Sequence, residues 1–161
     1  MTGKGPQVDT KSKPNITRLS RNPYSLGLAV RYLAGIDPFT QFEFGGTVSS
    51  IMHQINDGTH LILEQNDLIV GYLGWLRTSV ELAEAWSNKG ARLLKVHNGD
   101  AIVVTIFHAE NPAYIIRMIR AAKQVEPDTP VYWKRFYSDD RPPAPRAVKL
   151  NRAYQTQDSG S

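Results

Sequence analysis

The sequence predicts an α+β fold, a mixed or antiparallel central sheet flanked by helices, and three observations carry that prediction. Thr59–Leu76 holds two apolar runs separated by the polar tetrad Glu64-Gln65-Asn66-Asp67, and Asn and Asp tolerate the left-handed backbone of a tight hairpin. Both runs are apolar almost throughout rather than alternating, so the hairpin is expected to be covered on both faces. Ala101–His108 (AIVVTIFH) is β-branched and apolar, which reads as a buried central strand. Apolar residues recur at helical spacing in four further stretches, which supply the covering helices.

Residues 1–22 are mostly Lys, Ser, Thr, Gly and Pro; they bury too little to offset ordering entropy and are expected to be disordered. A first helix is expected over Tyr24–Ala34, with Pro23 in its first turn, Leu26, Ala29, Val30 and Leu33 on one face, and Gly35 as its stop. The loop from Asp37 to Gly46 carries Phe39, Phe42 and Phe44, expected to fold back over the core or to wall an apolar ligand site. Thr47 is the expected N-cap of a second helix, with Val48, Ile51, Met52 and Ile55 facing inward until Gly58. Within the hairpin's second strand, Gly71 and Gly74 allow two readings. A bulge there would open a slot in the sheet; the sequence alone favours the other reading, a helix packed close on each glycine.

Thr78 or Ser79 caps a third helix that turns Val80, Leu82, Ala83 and Trp86 inward and ends at Asn88-Lys89-Gly90. A short strand at Arg92–Val96 is expected before the turn Asn98-Gly99-Asp100. Asn111-Pro112 opens a fourth helix that buries Ile115, Ile116, Ile119 and Ala122, and Glu126-Pro127 stops it. Pro130–Tyr137 is the last strand, with Tyr132, Lys134 and Phe136 on one face and Val131, Trp133, Arg135 and Tyr137 on the other. The domain is expected to span residues 23–150, with 151–161 as a flexible tail.

At 161 residues and 41% hydrophobic content, the chain suits one domain with its own core. It has no cysteine, which excludes disulfides, thiolate metal sites and a cysteine nucleophile and is compatible with a reducing cytoplasm. The polar N-terminus and strand-sized apolar runs point to a soluble cytoplasmic protein without a membrane span. A net charge of +4 suggests an anionic partner, although much of the excess lies in the ends. His53, His60, His97 and His108 form no helical pair and have no carboxylate at ligand spacing, so no metal site is expected. Phosphate-cradling fingerprints and the Gly-x-Ser-x-Gly elbow are missing. His53 and His60 read as solvated surface residues, whereas His108 closes the most buried strand, where an imidazole pKa is perturbed. Trp133, Lys134, Arg135, Tyr137, Arg141, Arg146, Lys149 and Arg152 interleave aromatics with cations, but no recognised nucleic-acid motif accompanies them.

The hairpin closing on Gly71-Tyr72-Leu73-Gly74-Trp75, the helix with Glu81 and Glu84, and Gly99-Asp100 before a central strand resemble the RTX toxin-activating lysine acyltransferases. Leu26-Gly27 to Trp75 aligns with that family without a gap, and the resemblance covers about Ser25 to Tyr137. It implies an N-acetyltransferase-like fold, an acyl-acyl carrier protein as donor, no tightly bound cofactor, and fatty acyl transfer to a lysine of a protoxin-like protein substrate. The family's catalytic histidine falls at Phe39 or Thr40 and its aspartate at Thr105 or Ile106, and none of these accepts a proton as that chemistry requires. The pyrophosphate-binding Arg/Gln-x-x-Gly-x-Gly turn of ordinary acetyl-CoA users is also absent.

The candidate catalytic residues are therefore His108, the proton acceptor at the end of the strand that would carry the aspartate, and Thr105. Gly71, Gly74, Trp75 and Arg135 are the candidate substrate-binding residues, and Arg135, Arg141, Arg146 and Lys149 are expected to dock the acidic carrier protein. Two other classes stay open: a non-catalytic relative that binds a protein partner through the same surface, and a nucleic-acid binder using Trp133 to Arg152. A second copy of the chain is the remaining partner allowed.

Overall fold

The central hairpin forms because Asn66 and Asp67 both take left-handed backbone, with φ of 53° and 61°. The structure, a computed structural model, describes residues 12–135, 142–145 and 149–150. The hairpin joins β2 (His60–Gln65) to β3 (Leu68–Thr78). Before it come β1 (Asn15–Thr17), α1 (Pro23–Leu33), a 3-10 turn (Phe39–Gln41) and α2 (Phe44–Asp57). After it come α3 (Val80–Lys89), β4 (Ala101–Ala109), α4 (Pro112–Val125), β5 (Pro130–Arg135), β6 (Ala144–Pro145) and β7 (Lys149–Leu150).

The sheet runs β1-β2-β3-β4-β5-β6, with β7 also on β5. β4 and β5 are parallel, and the other described pairs are antiparallel, so the sheet is mixed as expected. One face packs α1 and α2 through Ala29, Leu33, Ile51 and Ile55 onto Ile62, Tyr72 and Ile106, and α3 through Ala83 onto Ala101, Val103 and Tyr132. The opposite face carries α4, whose Met118 seats among Leu61, Leu63, Leu73, Trp75, Ile102 and Val131. The hairpin is thus covered on both faces. No helix among the described residues is long and apolar enough to cross a membrane.

Asn22, Ser79 and Asn111 cap α1, α3 and α4 with side-chain acceptors, and Pro23 and Pro112 occupy first turns. Several expectations need correction. Residues 15–17 lie in the segment expected to be disordered, yet they pair with β2 as β1; residues 1–11 and 151–161 lie outside the described residues. The N-cap of α2 is Glu43 rather than Thr47, because its carboxylate takes the free N–H groups of Gly45 and Gly46. Phe44 then sits in the first turn and is exposed, while Phe39 and Phe42 are half-buried and meet edge to face, with centroids 5.4 Å apart. On α2, Met52 is exposed and Gln54 is buried instead.

Residues 92–96 form no strand; they run beside the end of β3, held by Thr78 Oγ1 on the Leu94 carbonyl (2.7 Å) and the Val96 N–H on the Arg77 carbonyl (3.0 Å). The buried face of α4 is also rotated from the expected one. Met118 is fully buried, with Tyr114, Ala121, Ala122 and Val125 beside it, whereas Ile115, Ile116 and Ile119 are exposed. Gly71 explains the choice: a Cβ there would stand 2.7 Å from Met118 Sδ, so the bare backbone makes the seat that Met118 fills.

Candidate functional site

β4 and β5 pair only from Ile102 to Val104 against Val131 to Trp133, and beyond Val104 they part. The cause lies in the β3–β4 ladder. Gly74 pairs with Ile106 while Trp75 pairs with Val104, so Thr105 is one extra residue on β4, and a bulge bends a strand and raises its twist. The divergence opens a cleft of about 500 Å³. Leu73, Trp75, Ile102, Val104, Phe107 and Trp133 wall it from the sheet; Ile119, Ala122 and Lys123 of α4 close one side, and Pro38 and Phe39 the other.

Two polar assemblies hold the walls. The Trp75 indole Nε1 donates to Glu126 Oε1 (3.0 Å), and Glu126, buried at the end of α4, also pairs with Arg77. That fixes the ring plane facing the cleft. Across the sheet, Gln54 of α2 donates through Nε2 to Thr105 Oγ1 (2.6 Å) and accepts through Oε1 from the Tyr72 hydroxyl (2.8 Å). A phenol is the better donor and an alkyl hydroxyl the better acceptor, which orients the amide this way. Gly74 leaves the space that the Gln54 amide occupies, since a Cβ would overlap it. Both glycines therefore admit a close helix, as the sequence favoured, and each also adjoins a register shift: Val70 is one extra residue on β3 beside Gly71, and Thr105 is one extra on β4 opposite Gly74.

Of the candidate residues, Trp75, Thr105 and Arg135 line the cleft. Gly71 and Gly74 do not line it; Gly71 lies beneath Met118 of α4 and Gly74 beneath Gln54 of α2. His108 does not line it; its Nδ1 meets the Tyr32 hydroxyl at 2.9 Å on the α1 side of the sheet. Burial lowers the His108 pKa, partly offset by Glu110, and the same burial drives that of Tyr32 upward. The Lys134 ammonium is engaged away from solvent, donating to the Trp86 carbonyl (2.6 Å) and resting 4.2 Å from that ring's centre, and its pKa is lowered by burial. Arg141 and Arg146 lie outside the described residues.

His60 is not a solvated residue. It is 1% exposed, its Nε2 accepts the Leu19 N–H (2.9 Å), and its Nδ1 therefore carries the proton donated to the Gln54 carbonyl (3.0 Å). His53 is exposed as expected, and His97 is exposed too. Phe39 lines the cleft, as the ligand-wall reading of its loop allows, whereas Gln54 escaped the sequence reading. The usable signal for Gln54 was Gly74, a strand glycine that must face something.

No protein-family model matches the chain, and no curated protein does. Solved structures do. The loading GNATL domain of CurA from Lyngbya majuscula is 16% identical, with a TM-score of 0.56, 76% of this chain covered and 64% of that one. The GphF GNAT-like decarboxylase in complex with isobutyryl-CoA is 16% identical at a TM-score of 0.55, with 74% and 65% covered. An acetyltransferase of the GNAT family from Streptococcus agalactiae is 12% identical at 0.51, with 78% of each chain covered. The chain thus spans just under two thirds of the first two neighbours. Its fold is the GNAT-like N-acetyltransferase fold.

Proposed function

We propose that this chain is an acyltransferase-like protein that takes the acyl chain of a thioester into the β4–β5 cleft and passes it to an amine. The observation that carries the reading is the cleft itself: about 500 Å³, aliphatic and aromatic over most of its wall, with Thr105 and the cationic side chains of Lys123, Lys134 and Arg135 as its polar side chains beside the two tryptophans. Such walls reward a hydrocarbon chain by roughly 0.8 kcal/mol per buried methylene. The isobutyryl-CoA complex of the GphF neighbour supports a thioester ligand.

The resemblance to the toxin-activating acyltransferases implies which donor and acceptor the cleft serves. The donor is an acylated carrier protein, an acidic partner attracted to cations around Arg135, and the acceptor is a lysine of a protoxin-like protein. The lysine nitrogen attacks the thioester carbonyl, the C–N bond forms, the C–S bond breaks, and the departing thiolate takes up a proton. A positioned base contributes about 10²–10⁴-fold to such a step. His108, held on the α1 side of the sheet by the Tyr32 hydroxyl, is the base we propose.

Intact-mass spectrometry of acyl carrier protein incubated with the purified chain and an amine-bearing acceptor tests this. Acyl loss from the carrier with matching gain on the acceptor is expected, abolished by His108→Ala and nearly unchanged by His53→Ala and His97→Ala. Equal activity in all three variants rejects His108. Carrier binding without acyl loss favours the second reading, a non-catalytic relative, which the phenyl and hydroxyl groups at the family's acid-base positions support.

A further inference from the structure

A second cavity of about 210 Å³ lies between α1, α2 and the loop that joins them, walled by Val30, Leu33, Phe42, Phe44, Val48 and Ile51. Among the described residues its polar lining side chains are Thr40 and Thr47, and neither carries a charge to pair with an ionic ligand. One side chain belongs to both cavities. Phe39 lines the large cleft on one side and the small cavity on the other.

Resting on the acyl-binding reading above, we infer that Phe39 is a gate that sets acyl chain length, and that the small cavity is the place a longer chain's tail would enter were the gate removed. The occupant is the hydrocarbon end of the same ligand. Continuity through a single phenyl ring argues for it, and so does the matching apolar chemistry of the two linings. Phe39 stands on a three-residue 3-10 turn, meets Phe42 edge to face and packs against the cluster that α1 and α2 make with the sheet, so its ring reaches both cavities from a loop rather than from either helix. Thr40 beside it ties back to Asp37, which anchors the turn independently of the ring.

The test is a chain-length series. Straight-chain acyl thioesters of N-acetylcysteamine, from butanoyl to hexadecanoyl, are titrated into the full chain below their aggregation limits. Trp75 and Trp133 in the cleft wall report binding by fluorescence. In the parent protein affinity should rise roughly fourfold per added methylene and then level off where the chain reaches Phe39. Phe39→Ala should move that break to longer chains, and Phe39→Leu, which keeps the turn packed, should move it less. Adding Val48→Phe to Phe39→Ala refills the small cavity and should return the break to its original length. A break at the same length in the parent, Phe39→Ala and Phe39→Leu overturns the gate while leaving the acyl-binding reading intact. Affinity independent of chain length in the parent, or no binding, overturns the acyl-binding reading and the gate with it.

Discussion

Replacing Gly74 by alanine should be among the most damaging single-methyl additions the domain can receive. The new Cβ would overlap the Gln54 amide, which is 3% exposed and has no alternative site in a close-packed core. Overpacking alone costs about 1–3 kcal/mol. Evicting the amide also strips the fully buried Tyr72 hydroxyl of its acceptor and Thr105 of its donor, and an orphaned buried group costs about 1–3 kcal/mol more. A loss of roughly 3–5 kcal/mol follows, a large share of the 5–15 kcal/mol typical of a domain. Two other glycines calibrate the figure. At Gly71 the obstacle is mainly the pliable thioether of Met118, so the cost should be about 1–2 kcal/mol. At Gly27, inside α1, a Cβ meets open space, so alanine should stabilise by about 0.5–1 kcal/mol. Urea unfolding followed by tryptophan fluorescence, with unchanged slope, gives the order Gly27→Ala, parent, Gly71→Ala, Gly74→Ala. In a Gln54→Ala background the Gly74 penalty should shrink, since the partner it strikes is gone. Stability of Gly74→Ala equal to Gly71→Ala, or no coupling to Gln54, would refute the packing argument.

Acidification should destabilise the fold through His60. Burial, chiefly, and the Arg18 charge lower its folded pKa, more than the Gln54 hydrogen bond raises it. The contribution is therefore full above the unfolded value of about 6.5 and is lost as pH falls through the lower folded value. Urea midpoints at about pH 7.5 and pH 5 should differ clearly in the parent and much less in His60→Gln; equal slopes in both would be evidence against it. Arg77→Ala should cost about 1–2 kcal/mol, since it leaves the buried Glu126 carboxylate with one charge partner fewer while Arg77 itself is 40% exposed. An unchanged urea midpoint would place the pair among inert surface contacts.

What the chain announces locally, it keeps. The Asn-Asp turn, the β-branched run of β4 and the Asn, Ser and Pro caps are read within a few residues, and the structure repeats them. The errors arise where two local rules compete. Gly45-Gly46 reads as loop, yet its unobstructed N–H groups are what Glu43 captures. On α4 an isoleucine set and a Tyr114-Met118-Ala122-Val125 set lie on adjoining faces, and only the seat made by Gly71, in a distant strand, selects between them. His60 stands where a polar turn meets an apolar strand, so its neighbours in sequence point both ways; its two partners come from α2 and from residue 19. The cleft was the least legible feature, because a bulge at Thr105 inside an unbroken apolar run has no mark of its own, and the parting of β4 from β5 depends on it.

Of the positions to which the resemblance would assign an acid-base pair, Phe39 or Thr40 and Thr105 or Ile106, Phe39 and Thr105 line the cleft, and neither side chain is a base at neutral pH. Any acyl transfer must then be driven either by a base from elsewhere or by the small fraction of amine already neutral. The pH dependence of the rate separates the two. A free lysine with a pKa of about 10.4 is neutral in only a few molecules per ten thousand at pH 7, so unassisted attack should climb about tenfold per pH unit through neutrality. With His108 as base, the reactive form pairs neutral imidazole with ammonium. Because burial lowers the His108 pKa, the rate should rise on the acid side of 6.5 and stay flat through neutrality. A flat profile in the parent that turns into a tenfold-per-unit slope in His108→Ala assigns the proton to His108. A steep profile in both assigns the chemistry to the acceptor amine and leaves the protein the work of holding the thioester.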